Sequence, residues 1–117
     1  MAWSSLKKKG SKYHATKTLA DGIMFDSKRE ADRWMELKLL EKTGWISNLQ
    51  RQVKYELIPP LKKSGEKTER AVFYIADFVY EENGETIVED CKGMRTREYR
   101  IKRKLMIWRY GIWIKET

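Results

Sequence analysis

From residue 27 onward the chain alternates between helical and strand-like spacing of its apolar positions. Ala31, Trp34, Met35, Leu37, Leu39 and Leu40 recur with the period of one helix face. Ser27-Lys28-Arg29-Glu30 ahead of them has the S-x-x-E form of a capping box, and Gly44 is a suitable stop. The pattern predicts a helix over residues 27–43. Val53, Tyr55 and Leu57 then alternate with Gln52, Lys54 and Glu56, a strand running from Trp45 to Ile58 and halted by Pro59-Pro60. After a polar loop over 61–69, two β-rich runs, about 70–81 and 85–92, flank Asn83-Gly84, a strong hairpin signal. Thr96 is a plausible N-cap for a second helix over 97–110, with Ile101, Leu105 and Trp108 as its buried stripe, widened by Met106 and Ile107. Tyr110-Gly111 closes that helix, and Ile112-Trp113-Ile114 reads as a short last strand. The order is helix, three strands, helix, strand: an α/β (α+β) chain with a mixed sheet flanked by helices. Residues 21–117 form one domain in this reading, with Asp21 to Asp26 as a turn and apolar lead-in, behind a flexible basic arm over residues 1–20.

Composition narrows what such a domain does. At 117 residues and 41% hydrophobic, with five Trp, six Tyr and three Phe, the chain can bury a real core despite 36% charged residues. Its apolar runs are far shorter than a membrane span, and Met1-Ala2-Trp3 followed by Lys7, Lys8 and Lys9 lacks the apolar stretch of a secretory signal. One cysteine, Cys91, excludes an internal disulfide and a multi-cysteine zinc site; one histidine, His14, argues against histidine-based metal or triad chemistry. A cytoplasmic location follows as the expectation, the host cytoplasm if the chain is phage-encoded. The net charge of +8 makes nucleic acid a candidate partner. The positive charge gathers toward both ends, in the N-terminal lysines and in Arg95, Arg97, Arg100, Lys102, Arg103, Lys104 and Arg109, and spares the central hairpin.

That hairpin carries the candidate chemistry. Alternation puts Phe73, Ile75, Asp77 and Val79 on one face of the first strand and Val88, Asp90 and Lys92 on one face of the second. Pairing through Asn83-Gly84 would let two carboxylates and an ammonium converge among apolar neighbours, an expensive arrangement unless something binds there. Two such acids can chelate a hard divalent cation, and a lysine beside them can position or deprotonate a water. The plainer reading is an acid beside a turn and a surface Asp90–Lys92 pair. Glu30 is likewise open: it can cap its own helix, or present a third acid to a metal.

The order of elements, with an acid late in the second strand and D-x-K in the third, resembles the PD-(D/E)XK nuclease superfamily, whose restriction-endonuclease-like core has an αβββαβ order. The stretches F-D-S-K-R-E-A-D-R, Y-I-A-D-F-V-Y and V-E-D-C-K-G, followed by T-R-E-Y-R-I-K-R-K, are similar to small phage-type members. Those in turn resemble archaeal-type Holliday-junction resolvases and transposase-associated endonucleases. The likeness spans roughly residues 20–115; Ala76 stands where the family name has proline.

The resemblance implies Asp77 and Asp90 as metal-binding acids, Lys92 as the catalytic lysine and Glu30 as the helix acid that many members add. It also implies the Cys91 carbonyl as an extra metal ligand, with the thiol on the opposite face. Glu89, next to Asp90, faces away from Lys92 by alternation, so Asp90 is the preferred acid. Tyr99 and Lys102 resemble positions near the scissile phosphate. The cofactor implied is Mg²⁺, with Mn²⁺ as its substitute, and no small-molecule cofactor. The partner implied is DNA, branched rather than read by sequence, held by Lys28, Arg95, Arg97, Tyr99, Arg100, Lys102, Arg103 and Lys104 along the helix and by the basic arm. A homodimer would supply paired cuts, and Trp3, Trp45, Trp113 and Tyr110 are candidates for its interface or for the core. No membrane partner is implied. The rivals are a nicking, flap or end-processing nuclease, a lapsed DNA-binding module, a basic adaptor for an acidic protein, and RNA as substrate.

Overall fold

A computed structural model describes residues 16–91 and 95–117. Of the expected basic arm over residues 1–20, residues 1–15 lie outside them, as does Lys92. Both helices form almost where the caps predict. Helix α1, Lys28–Lys42, starts at Ser27, whose side chain accepts from the Glu30 amide at 3.0 Å. Helix α2, Arg97–Tyr110, starts at Thr96, which accepts from the Tyr99 amide at 3.1 Å. It ends at Gly111, whose φ of 68° is the left-handed C-cap conformation that glycine adopts without steric penalty.

Three strands after α1 form an antiparallel run: β3 (Ser47–Ile58), β4 (Val72–Glu82) and β5 (Glu85–Asp90). The turn between β4 and β5 is the expected one, Asn83 and Gly84 at φ of 52° and 79°. After α2, strand β6 (Lys115–Glu116) returns parallel to β5, giving a mixed sheet in the order β3-β4-β5-β6. The last strand therefore lies later than Ile112-Trp113-Ile114. Ile112 and Ile114 pack into the core as a connecting segment while Trp113 stays 69% exposed.

The helices cover opposite faces of the sheet. Ala31, Trp34 and Leu37 of α1 pack with Phe25, Ile46, Phe78 and Tyr80. Tyr99 and Met106 of α2 pack with Leu57, Tyr74, Ala76, Val79, Val88 and Ile114. Each helix buries a narrower or different stripe from the one its apolar residues suggest. In α1, Met35 and Leu39 point away from the sheet. In α2 the expected stripe is displaced: Ile101 and Trp108 are exposed, and Tyr99 and Met106, seven residues apart, face the core. That face wins because its amphipathic neighbours bury their stems and satisfy their polar ends on the sheet. The Tyr99 hydroxyl donates to Glu116 at 2.6 Å, Tyr110 donates to the Glu56 carbonyl, and Arg109 donates to the Leu57 carbonyl at 3.0 Å.

An additional hairpin precedes α1: β1 (Thr18–Ala20) pairs with β2 (Ile23–Phe25). Its turn is Asp21-Gly22, at φ of 52° and 73°, and Asp21 also accepts from the Trp34 indole at 3.0 Å. The boundary expected after residue 20 is thus too late, since Thr18–Ala20 belong to a strand packed on α1. No helix among the described residues is long and apolar enough to cross a membrane.

Candidate active site

The candidate acids lie at the end of the β4–β5 ladder, where β5 stops. The ladder pairs Phe78 with Glu89 and Val79 with Val88, so the same register continued by one residue brings Asp77 level with Asp90. Their side chains do not follow simple alternation. In β4, Tyr74 and Ala76 pack against α2, whereas Phe78 and Tyr80 pack against α1. In β3, Val53, Tyr55 and Leu57 lie on the α2 side, whereas Leu49 packs on the α1 side and the Arg51 guanidinium lies 5.0 Å from the Phe25 ring. Since Arg51 pairs with Phe78 and Val53 with Ala76, both strands change face at the step holding Gln52 and Asp77. Gln52 has a φ of 55°, a left-handed conformation inside a strand that turns the chain over. The expected common face of Ile75, Asp77 and Val79 is thereby broken: Ile75 is exposed and Val79 buried.

Asp77 sits at this switch, half-buried, and its carboxylate accepts from the Cys91 amide at 2.8 Å, just past the end of β5. Asp90, 2% exposed on the α2 side, accepts from the Tyr74 hydroxyl at 2.6 Å. Burial, then the hydrogen bond to Asp90, and the charges of both Asp90 and Asp77 hold the Tyr74 phenol far above its usual range. Two carboxylates from adjacent strands therefore act on one phenol.

Glu30 occupies the first turn of α1 and is buried. Its carboxylate accepts from the Asp26 amide at 3.3 Å while its own amide bonds Ser27. This is a capping arrangement, reaching one residue farther back than the usual reciprocal box. Cys91 links that region to the strand ends. Burial pushes its thiol up to about 11; the Thr117 hydroxyl opposes the rise, and the charges of Asp77, Glu89 and Glu30 add to it. Its side chain packs at the margin of the α1-side core, as expected for the face opposite Asp90.

Glu89 is accounted for separately. It is fully buried on the α1 side, bound by both arms of the Arg33 guanidinium, by Tyr80 at 2.7 Å and by Thr117 at 3.0 Å. It thus lies on the face opposite that of Asp90. Lys92, the expected catalytic lysine, lies outside the described residues.

The expected phosphate-binding residues divide into groups. Arg97, Arg100 and Lys104 are exposed on α2. Lys28 is exposed and paired with Asp32 at 2.9 Å; Lys102 is half-buried and paired with Glu98 at 3.2 Å. Arg95 and Arg103 converge on Glu116, a residue that sequence reasoning missed because only the parallel β5–β6 register brings it beside Asp90. The Tyr99 hydroxyl, then Arg95 and Arg103, hold the Glu116 carboxyl below its usual range. Tyr99 needs correcting: its ring is core, 6.5 Å from that of Tyr74, and its hydroxyl is engaged by Glu116, so it does not present a phosphate-binding surface.

A family model described as protein of unknown function (DUF1064) matches residues 10–116. The chain belongs to this family. No curated protein and no solved structure matches it. What this DUF1064 chain can do chemically therefore rests on its side chains. Among the described residues no group of three or more His, Cys, Asp or Glu stands together to hold an ion. The donors at the strand ends are the carboxylates of Asp77 and Asp90. Such a set suits Mg²⁺, which retains several waters and is often held by one or two carboxylates, better than zinc, which needs three or four nitrogen or sulfur donors.

Proposed function

We propose that this protein is a metal-dependent DNA endonuclease with the restriction-endonuclease-like core, acting in the cytoplasm on branched DNA. The observation that carries the reading is the level placement of Asp77 and Asp90 at the end of the β4–β5 ladder, with Asp90 buried and both charges acting on Tyr74. The αβββαβ order of the sheet and its flanking helices supports it.

Asp77 and Asp90 would hold Mg²⁺, or Mn²⁺ in its place, with the Cys91 carbonyl as a further donor. Bound there, the ion would supply Lewis acidity toward a phosphoryl oxygen and lower the pKa of water. Lys92 would orient the attacking water and offset charge developing on the phosphate. Tyr74 fixes the Asp90 carboxylate, and the Cys91 amide fixes that of Asp77, so neither must reorganise as charge develops. Glu30 would support the site from the first turn of α1. Arg97, Arg100 and Lys104 would contact phosphates without reading sequence, which gives binding a steep salt dependence.

A second reading, a DNA-binding module without catalysis, is favoured by one observation: Glu30 is engaged in capping and Glu89 with Arg33, leaving two acids at the strand ends. The deciding experiment is cleavage of a synthetic four-way junction, a flap, a linear duplex and a single strand, in Mg²⁺ and in EDTA, by wild type, Asp77→Asn and Lys92→Ala. The expected result is nicking of the junction that vanishes with EDTA and with either substitution. Equal cutting of every substrate would remove the branched-DNA preference. Binding without cleavage in Mg²⁺ or Mn²⁺ would overturn the nuclease reading in favour of the binding module.

A further inference from the structure

The outer face of α1 has a pattern that packing against the sheet does not use. Lys28, Asp32, Met35, Leu39 and Lys42 follow one another at spacings of four, three, four and three, the seam of a coiled-coil helix. The face lies opposite the buried Trp34 and Leu37, and its apolar members are open to solvent, Met35 at 48% and Leu39 at 62%. A shallow hollow lined by Asp21, Met35, Lys38, Leu39, Glu41 and Lys42 adjoins them.

We propose that this face joins two copies of the chain, with their α1 helices packed antiparallel about a two-fold axis at the level of residue 37. In a two-fold contact the same patch serves both partners, so residues equidistant from the axis meet. Met35 and Leu39 lie equally far from residue 37 on either side, and each meets the other in the second copy. Asp32 and Lys42 are also equidistant, so the next layer out on either side is an Asp32–Lys42 ion pair, in which Asp32 would share its carboxylate with Lys28 of its own helix, 2.9 Å away. A parallel pairing would set Asp32 against Asp32 and Lys42 against Lys42, and charge therefore selects the antiparallel arrangement. The flanking Glu36 and Lys38 would approach their own copies near the axis, but each already has a partner of opposite sign, Arg33 at 3.8 Å and Glu41 at 3.7 Å. A face carrying both Asp32 and Glu36 is a poor match for the phosphates of a nucleic acid, which favours a second copy as occupant.

The contact does not rest on the nuclease reading. Asp32 to Lys42 spans only about 15 Å of helix, so the dimer is of micromolar rather than nanomolar strength.

Sedimentation equilibrium of the full chain tests it, from about 1 µM to about 1 mM, a range that brackets such an affinity. The mass is expected to rise from 14.0 kDa toward twice that value. Leu39→Lys removes two buried layers per dimer and weakens association roughly fiftyfold, with an unchanged far-ultraviolet circular dichroism spectrum. Asp32→Lys and Lys42→Asp each weaken it, and the two together restore it, because the swapped charges meet again. A monomer mass throughout the range would overturn the proposal. So would a dimer indifferent to Leu39→Lys, or a combined swap weaker than either single one.

Discussion

Replacing Arg33 with Met isolates the buried Arg33–Glu89 pair. Glu89 has no solvent exposure, and its oxygens accept from Arg33, Tyr80 and Thr117. Burial alone would push its carboxyl up, but the hydrogen bonds of Arg33, Tyr80 and Thr117 and the Arg33 charge outweigh burial and hold it below the usual range. Methionine keeps the aliphatic bulk of the arginine stem and removes only the guanidinium. Removing one partner of a buried pair destabilises by about 3–5 kcal/mol, because the other charge is left uncompensated. Two hydroxyl donors remain on Glu89, which places the expected loss near the lower end, about 3 kcal/mol. For a domain of this size that is a fall in Tm on the order of 10–15 °C, a large share of a total stability of about 5–15 kcal/mol.

The pH dependence gives the prediction its sign. With Arg33 in place, the depressed Glu89 pKa contributes stability that is present above its unfolded value and lost as pH falls through the folded one. Without Arg33, burial dominates and the folded Glu89 pKa moves above the unfolded value. Folding of the variant then takes up a proton, and its deficit shrinks as pH falls through the acid range. Urea unfolding of both proteins at pH 7 and near pH 4 measures this. The gap should be about 3 kcal/mol at pH 7 and clearly smaller near pH 4. A loss under about 1 kcal/mol at pH 7, the size of a solvated surface pair, would refute the argument. A gap independent of pH would do the same.

Two further outcomes concern the candidate site. With its pKa raised to about 11, the Cys91 thiol is almost wholly protonated at pH 8, so alkylation by iodoacetamide should run on the order of a hundredfold slower in the folded protein than in urea. Because the folded pKa of this acid is raised, its contribution to stability is present below the unfolded thiol pKa and lost as pH rises through the folded value; equal rates in the two states would contradict the burial. Glu30→Gln keeps a side chain able to bond the Asp26 amide, so Tm should hold. Under the proposed nuclease function, in which Glu30 would support the metal ligands, turnover should fall roughly ten- to a hundredfold, whereas unchanged turnover would reduce Glu30 to a cap.

How far the sequence predicts the fold depends on what each signal measures. Ser27, Thr96, Asn83-Gly84 and Gly111 act through local backbone chemistry, and the structure has each of them in its expected role. The Asp21-Gly22 turn is an equally local signal, yet the strands it joins have three residues each, too few for alternation to stand out. The α2 stripe goes astray for a different reason. Ile101 and Trp108 are more hydrophobic than Tyr99, but hydrophobicity does not register that Glu116 waits at the sheet edge for the Tyr99 hydroxyl. That acid is brought in by the parallel return of β6, a long-range pairing with no local signature.

The same distinction explains why the two acids are level even though the alternation used to align them does not hold. Period-two reasoning assumes a strand keeps its face from end to end. Here β3 and β4 turn over together at Gln52 and Asp77, so the sheet gives its lower half to α2 and part of its upper half to α1 without breaking the β3–β4 register across that step. A turnover in one strand alone would oppose apolar and polar faces; a matched pair preserves both cores. Left-handed backbone at Gln52 is costly for a residue with a Cβ, and an evenly pleated sheet would avoid it. What the turnover accomplishes locally is to leave Asp77 half-buried at the step between the two packed faces, with its carboxylate accepting from the Cys91 amide at the level of Asp90. That bond ties the end of β5 to β4 one step beyond the last ladder pair, and the proposed function would add a second role for the same carboxylate.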